Sequence, residues 1–492
     1  MRVLVLGAGF GGIGTAIALL RAGVRDVVVL EAGDGVGGVW RDNTYPGCAC
    51  DVPAAYYSFS FAPNPHWTRR FPEQPEILAY LQDCADRFGV TPLVRLRTRA
   101  TSAAWDDGRR HWRVETLDGD GRTGELTGDV LVSAVGQLSR PHVPHLPGVE
   151  RFTGPVFHSA RWRHDVPLAG RRVAVVGTGA SAVQFVPRIA GTAAHVTVLQ
   201  RSAPWTLPKP DRAYGPLTQR VAARAPWTGT ARRGAVRLLA GFAGRAVLGS
   251  PLPRAALVAA STLQRRVQVR DPALRGRVTP DHPLGCKRML LTADWLPTLA
   301  RPDVTLVTDP IMDVGPSAVR TAGPDGEPVE HPADVLVYGT GFAAGEFLAP
   351  LRVTGRNGLA LHDAWRDGAR AHLGLTVPGF PNLFLVYGPN TNTGNTSVLT
   401  FEEAQARYVV QAVRHLARTA ARGGCPVVEV RADVERRYDE ALQARLAGSV
   451  WTACGSWYRD RSGRVVANWP GTEAEYLRRT RRFRPEDHAT AP

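Results

Sequence analysis

Lysine is nearly absent from this chain. Lys209 and Lys287 are the whole complement, so the formal charge of +16 at pH 7 is carried almost entirely by arginine. The arginines are spread along the chain and no nucleic-acid module accompanies them. A nucleic-acid partner is therefore not expected; a solvated Arg/Ala-rich surface is, and its positive field can gather anionic cofactors. Cysteine is scarce as well: Cys48, Cys50, Cys84, Cys286, Cys425 and Cys454 include no CxxC pair. That excludes a two-nucleotide disulfide reductase and reads as a reduced, cytoplasmic protein. Cys48 and Cys50 form a CxC, but no second ligand pair stands at zinc-binding spacing, so no metal is expected. Long apolar runs are missing too. Gly or Arg interrupts each one short of about 18 residues, and no stable membrane insertion is expected. Residues 1–20 resemble a signal peptide superficially, yet their glycines are spaced as a phosphate loop and lead into a second strand.

Glycine following apolar strands is what the chain does have. Its 492 residues exceed one ordinary domain, and 44% hydrophobic content suffices for more than one core. Residues 2–6 read as a buried strand, then come Gly7-Ala8-Gly9-Phe10-Gly11-Gly12 and an apolar helix to residue 20. Residues 27–30 form the next strand, ending at Glu31. Residues 172–176 repeat the design, with Gly177-Thr178-Gly179, a helix to residue 189 and a strand at 195–199. A further strand at 334–337 ends in Gly339-Thr340-Gly341 and returns to one of these units. The expected fold class is α/β, with two Rossmann-like dinucleotide-binding domains. Residues 74–88 have helical spacing, and 111–115 and 130–133 read as strands. Residues 212–278 are rich in Ala, Leu and Arg at helical periodicity. A helical cap over an active site is the reading adopted there, in preference to the membrane contact that their basic amphipathic character also fits. A long helix is expected over 401–421, and disorder from residue 486 onward.

The first loop carries the GxGxxG pattern at Gly7, Gly9 and Gly12. The first glycine forms the turn, the second lets backbone approach a pyrophosphate, and the third lets helix and strand pack closely. The helix N-terminus then faces the phosphates. Glu31 stands 19 positions beyond Gly12, where an acid accepts hydrogen bonds from ribose hydroxyls and repels a 2′-phosphate. FAD or NAD fits such a site. The second loop is a GxGxxA variant built from Gly177, Thr178, Gly179 and Ser181. Its second strand ends in Gln200-Arg201-Ser202 without an acid, and Arg201 suits a 2′-phosphate, so NADPH is expected there. Two sites of opposite preference imply hydride passing from NADPH to a flavin.

The stretch from Gly37 and Gly38 through Trp40, Tyr45-Pro46-Gly47 and Asp51 matches the GGxWxxxxYPGxxxD signature of type I Baeyer–Villiger monooxygenases. Phe152, Gly154, His158 and Trp162 fit that family's FxGxxxHxxxW fingerprint, where nitrogen- and sulfur-oxidising relatives usually carry Tyr or Phe in the last place. The pattern usually continues with Pro or Asp; here Arg163 follows. Gly285-Cys286-Lys287-Arg288 resembles the segment bearing the family's active-site arginine. Residues 334–342 resemble its ATG-type segment, and 451–471 its C-terminal SWY…WPG region. Residues 388–392 look closest to branches with aryl or broad ketone specificity.

The resemblance, which spans nearly the whole chain, implies a flavoprotein that inserts one oxygen atom of O2 beside the carbonyl of a lipophilic ketone. The product is an ester or lactone, formed through a flavin C4a-peroxide kept deprotonated by Arg288. Asp51 would hold and tune that arginine, and Lys287 would join Arg201 and Ser202 on the NADPH 2′-phosphate. Gly38, Trp40, Tyr57 and Gly341 would contribute to the cofactor sites. His158 and Trp162 would act at the hinge between domains rather than in bond chemistry. The implied division is an FAD-binding domain of residues 1–140 and 346–492, an NADPH-binding domain of 151–345, and a helical insertion at 212–280. Two other readings share the nucleotide motifs: an N- or S-oxygenating flavin-containing monooxygenase, which needs no peroxyanion, and a non-enzymatic FAD/NADPH-binding regulator. Neither the particular ketone nor an oligomeric state is specified by the sequence.

Overall fold

The computed structural model describes residues 1–394 and 396–489. Two parallel five-stranded sheets organise the chain. The first has the order Leu383–Leu385, Val130–Ser133, Val3–Leu6, Val27–Leu30, Val94–Arg95, with Val3 registered against both Val27 and Val130. The second runs Val304–Val307, His195–Leu199, Arg172–Val176, Val335–Tyr338, Val156–His158. The central strand of each, Val3–Leu6 and Arg172–Val176, is a near-continuous Val/Leu/Ala run buried on both faces, as parallel strands between helical layers must be. In each unit a glycine loop follows the central strand and opens a helix, Phe10–Arg21 in one and Ala180–Ile189 in the other. The mixed α/β architecture with two Rossmann-like units is therefore the fold class expected from the glycine loops.

The strands expected at 27–30, 172–176 and 195–199 have those bounds, and the one at 334–337 lies one residue later, at Val335–Tyr338. That strand pairs with both Arg172–Val176 and Val156–His158, so it returns to the second unit. The expected helix over 401–421 begins earlier, at Val398, and packs along Phe10–Arg21. Residues 212–278 hold four helices, Pro216–Arg224, Trp227–Val247, Pro251–Gln268 and Pro272–Arg277.

Three expectations need correction. Two further sheets were not expected as sheets: the strand expected at 111–115 runs over His111–Asp118 and lies between antiparallel Thr98–Asp106 and Thr123–Gly128, with Arg352–Thr354 parallel to Thr98–Asp106, and Ile311–Val314, Ala318–Ala322 and Pro328–Pro332 form an antiparallel trio. Most of these strands bury at most alternate positions, as His111–Asp118 does, or stay largely exposed, as Pro328–Pro332 does, and so lack a continuous apolar run. Disorder from residue 486 is overturned for 486–489, because His488–Ala489 pairs with Glu429–Val430; residues 490–492 lie outside the described residues. The reading of every cysteine as a reduced thiol is overturned as well, since Cys286 and Cys454 form a disulfide across 168 positions. Their Cα atoms lie 6.1 Å apart, within bridging range, a proximity that sequence spacing cannot show.

Candidate active site

The first glycine loop has the close fit its pattern implies. Gly7 takes φ +98°, and a Cβ there would meet the Ala134 carbonyl oxygen at 2.6 Å; a Cβ on Gly12 would meet the Gly7 oxygen at 1.8 Å. Gly9 caps the following helix, and Gly38, at φ +54°, passes close against it. Glu31 is buried at the end of its strand. Its carboxylate accepts from the backbone N–H of Ala8 at 2.9 Å and of Gly33 at 2.7 Å, and from Arg41 Nη1 at 2.9 Å. Arg41 was not singled out from sequence, although it sits inside the Gly37–Asp51 signature and its charge holds the Glu31 carboxylate in place.

A cavity of about 1140 Å³ opens from this loop. Its wall includes Glu31, Trp40, Asp51, Tyr57 and Arg288, and it reaches Ser181 at the start of the second unit's helix. Trp40 Nε1 donates to the Tyr57 hydroxyl at 3.0 Å, and Phe10 packs edge-on against the Tyr57 ring at 5.3 Å. Burial raises the Tyr57 pKa well above the ordinary phenol value, so the hydroxyl stays protonated.

Asp51 and Arg288, 237 positions apart, meet in the wall. Arg288 Nη2 donates to Asp51 Oδ1 at 2.6 Å and Nε donates to Oδ2 at 3.0 Å. The carboxylate's charge raises the arginine pKa more than burial lowers it, which keeps the guanidinium cationic. About 38% of the Arg288 side chain remains open, and it opens to the cavity. The arrangement presents a fixed positive charge to whatever occupies that space.

The second glycine loop repeats the geometry of the first. Gly177 takes φ +103°, and a Cβ there would meet the Gly339 oxygen at 2.7 Å. Thr178 Oγ1 donates to the Ser202 carbonyl at 3.1 Å, and Lys287 Nζ donates to Ser202 Oγ at 2.7 Å. Burial lowers the Lys287 pKa, and the charge of Arg201 lowers it further, with Asp281 opposing. Arg201, Ser202 and Lys287 are thus brought together beside a strand end that carries no acid. Gly179 caps the helix Ala180–Ile189, and Gly341, at φ +80°, receives a hydrogen bond from the His142 N–H at 2.8 Å.

His158 and Trp162 stand apart from the cavity wall. His158 closes the edge strand of the second sheet, its Nδ1 accepts from the Ala160 N–H at 3.0 Å, and burial pushes its pKa down to about 4. Trp162 packs between Phe157 at 5.3 Å and Phe185 at 5.2 Å, within the second unit.

Two further contributors lie in segments that carry no motif. Gln184 accepts from the Tyr45 hydroxyl at 2.9 Å and donates to the Ala49 carbonyl at 2.9 Å, tying the Gly37–Asp51 stretch to the second unit. Glu402, on the helix Val398–Ala421, is buried in the cavity wall, and burial together with the charge of Glu403 pushes its pKa up to about 8. Spacing along an amphipathic helix marks Glu402 as nothing more than a polar position among apolar ones.

Known proteins supply the family. Residues 1–224 match the model of the flavin-binding monooxygenase-like family. A Baeyer–Villiger monooxygenase of Streptomyces coelicolor is 43% identical over 98% of this chain and 91% of its own length. One from Pseudomonas aeruginosa is 40% identical over 98% and 90% respectively. Among solved structures, an oxidised steroid monooxygenase bound to NADP aligns with a TM-score of 0.85 at 31% identity, covering 98% of this chain and 97% of that one. A closed form of cyclohexanone monooxygenase aligns at 0.84 with 26% identity, covering 98% and 96%. With full-length relatives at this level of identity, and the Asp51–Arg288 pair in the cavity wall, the chain belongs to the Baeyer–Villiger branch of the flavin-binding monooxygenases.

Proposed function

We propose that this protein is an FAD- and NADPH-dependent monooxygenase that inserts one oxygen atom of O2 beside the carbonyl of a lipophilic ketone, giving an ester or lactone. The observation that carries the reading is the Asp51–Arg288 pair: a cation fixed by a two-point hydrogen-bonded contact and open to a largely apolar cavity. The first cradle fits FAD. Gly7 and Gly12 leave no room for a side chain, which lets a pyrophosphate come close, and the buried Glu31 suits a ribose with free hydroxyls. The second cradle fits NADPH, because Arg201 and Lys287 put two cations at its ribose end. Residues 1–140 with 346–492 would hold FAD, residues 151–345 would hold NADPH, and 212–280 would cap the cavity.

A bound flavin would supply hydride acceptance and oxygen activation; the chain's own residues would hold it and shape the space around it. Arg288 would offer its fixed positive charge to negative charge developing in the cavity, where low polarity would make one cation worth far more than in water. Asp51 is a positioning residue that holds the guanidinium in one plane. Trp40 and Tyr57 exclude water from the wall. His158 and Trp162 stiffen the second unit beside the hinge.

Oxidation of nitrogen or sulfur requires no anion at this point, so a guanidinium locked there favours the ketone reaction. Purified enzyme offered a panel of cyclic and aryl ketones and a thioether, with products identified by mass spectrometry, tests the choice. Ester or lactone from at least one ketone is expected; sulfoxide with no ester from any ketone overturns the reading.

A further inference from the structure

Residues 212–270 contain eleven arginines and no aspartate, glutamate or lysine, so this stretch carries +11 of the chain's +16. It is also where large apolar side chains reach solvent. On the helix Trp227–Val247 the exposed side is Trp227, Ala231, Ala235, Leu238, Phe242 and Arg245, spaced three or four apart, with Trp227 72% and Leu238 78% exposed. On Pro251–Gln268 it is Leu252, Ala256, Ala259, Leu263 and Val267, ending towards Arg270, with Leu252 81% exposed. A surface helix of a water-soluble protein buries such a stripe and shows its polar side. Here Arg265 is buried and Arg233 half-buried, while Arg237 keeps about 49% of its side chain open. Arg233 donates to the Ser58 carbonyl at 2.8 Å, Arg237 pairs with Glu473 at 2.9 Å, and Arg265 lies over the Trp205 ring at 5.4 Å.

We propose that this face docks the protein, reversibly and in the plane of the interface, on an anionic lipid bilayer. Apolar side chains flanked by arginine match the acyl boundary and the headgroups of such a surface together. A second copy of the chain would set eleven arginines against eleven. A nucleic acid would answer the charge but leave Leu238 and Leu252 without an apolar partner. Among the described residues no single helix is long and apolar enough to cross a membrane; Trp227–Val247 and Pro251–Gln268 reach that length and apolarity only as a pair, bent by 100° at their junction. Leu239 and Phe242 belong both to this exposed region and to the cavity wall, so docking brings the cavity mouth to the lipid, where an apolar molecule partitions. The docking itself does not depend on the oxygenation chemistry.

Sedimentation of the full-length, flavin-loaded protein with vesicles tests this. Vesicles of phosphatidylglycerol and phosphatidylcholine in equal parts should bind it at least about tenfold better than vesicles of phosphatidylcholine alone, and about 0.5 M salt should release it. The double variant Leu238→Glu/Leu252→Glu should bind about tenfold more weakly, while keeping its flavin content and its NADPH oxidation with a water-soluble ketone. Arg220→Gln/Arg224→Gln, which alters charge but not the apolar stripe, should weaken binding less. Four results overturn the proposal: no binding to the anionic vesicles, equal binding to both kinds, binding that survives the double glutamate change, or binding to duplex DNA as tight as to vesicles. A self-association abolished by the glutamates, without vesicle binding, assigns the face to a second copy and overturns it too.

Discussion

Asp51 grips Arg288 from both sides of its guanidinium edge, with Oδ1 on Nη2 at 2.6 Å and Oδ2 on Nε at 3.0 Å. Removing the cation leaves the cofactor cradles untouched. Arg288→Ala should therefore keep flavin reduction by NADPH, seen as bleaching near the flavin absorption band under anaerobic conditions, while ester yield falls by about 10²–10³-fold. Asp51→Asn keeps one acceptor but loses the charge, and a smaller loss is expected. Unchanged ester yield in Arg288→Ala would refute the role given to this pair.

Arg201 and Lys287 make a separate prediction, because their proposed partner is a phosphate that NADH lacks. Arg201→Ala should cost roughly 1.5–3 kcal/mol of charge-assisted pairing with NADPH, a rise in KM of at least about tenfold, with NADH use almost unchanged. Steady-state kinetics with both nucleotides decide it, and an equal loss with each would sink the assignment.

The two glycines of the first loop should fail in different ways. A Cβ on Gly9 meets only the Gly38 Cα, at 3.7 Å, an ordinary contact, whereas one on Gly12 meets a carbonyl oxygen at 1.8 Å. Gly9→Val should fold and emerge colourless, its side chain standing where the pyrophosphate approaches; Gly12→Ala should fail to accumulate as folded protein. Flavin absorbance and circular dichroism, measured side by side, separate the outcomes.

Glu402 gives a pH dependence. Its folded pKa, about 8, lies above that of an ordinary carboxylic acid, so the folded state holds a proton that the unfolded state releases. Its contribution to stability is therefore full below the unfolded value near 4.5 and is lost as pH rises towards 8. Thermal midpoints of the wild type should fall between about pH 5 and pH 9 more steeply than those of Glu402→Gln. Parallel curves would show that Glu402 does not carry this proton.

Thiol counting tests the cross-link. Denatured, unreduced protein should titrate four thiols, Cys48, Cys50, Cys84 and Cys425, and six after reduction. Six before reduction would return the chain to the fully reduced state its cysteine spacing suggests.

The legible part of this protein was its local geometry. Gly7, Gly12 and Gly177 could be read because a strand, a forbidden Cβ and a helix start are neighbours in sequence. Glu31 and Arg201 could be read because the end of a second strand is a fixed distance onward. Asp51 and Arg288 became a pair only through resemblance, since no local rule joins positions 237 apart. Gln184 and Glu402 were invisible for the same reason: each matters through what folding brings against it. Likewise, Cys286 and Cys454 are joined by loops whose approach no periodicity encodes. In the region 212–278, helical periodicity gave the helices correctly but not the side of each that would face solvent.

The sheet that carries the first glycine loop has a consequence for how the molecule is made. Its strand Leu383–Leu385 lies beside Val130–Ser133, although 250 residues (383 − 133) separate them in the order of synthesis. At roughly 5–20 residues per second a ribosome needs about 12–50 s to cover that gap. Throughout it the nascent first unit waits with one sheet edge unpaired and without the long helix that backs Phe10–Arg21. The second unit, closed by Val335–Tyr338, has all its strands before the first unit does, so the first unit is the last to be completed although its strands begin the chain.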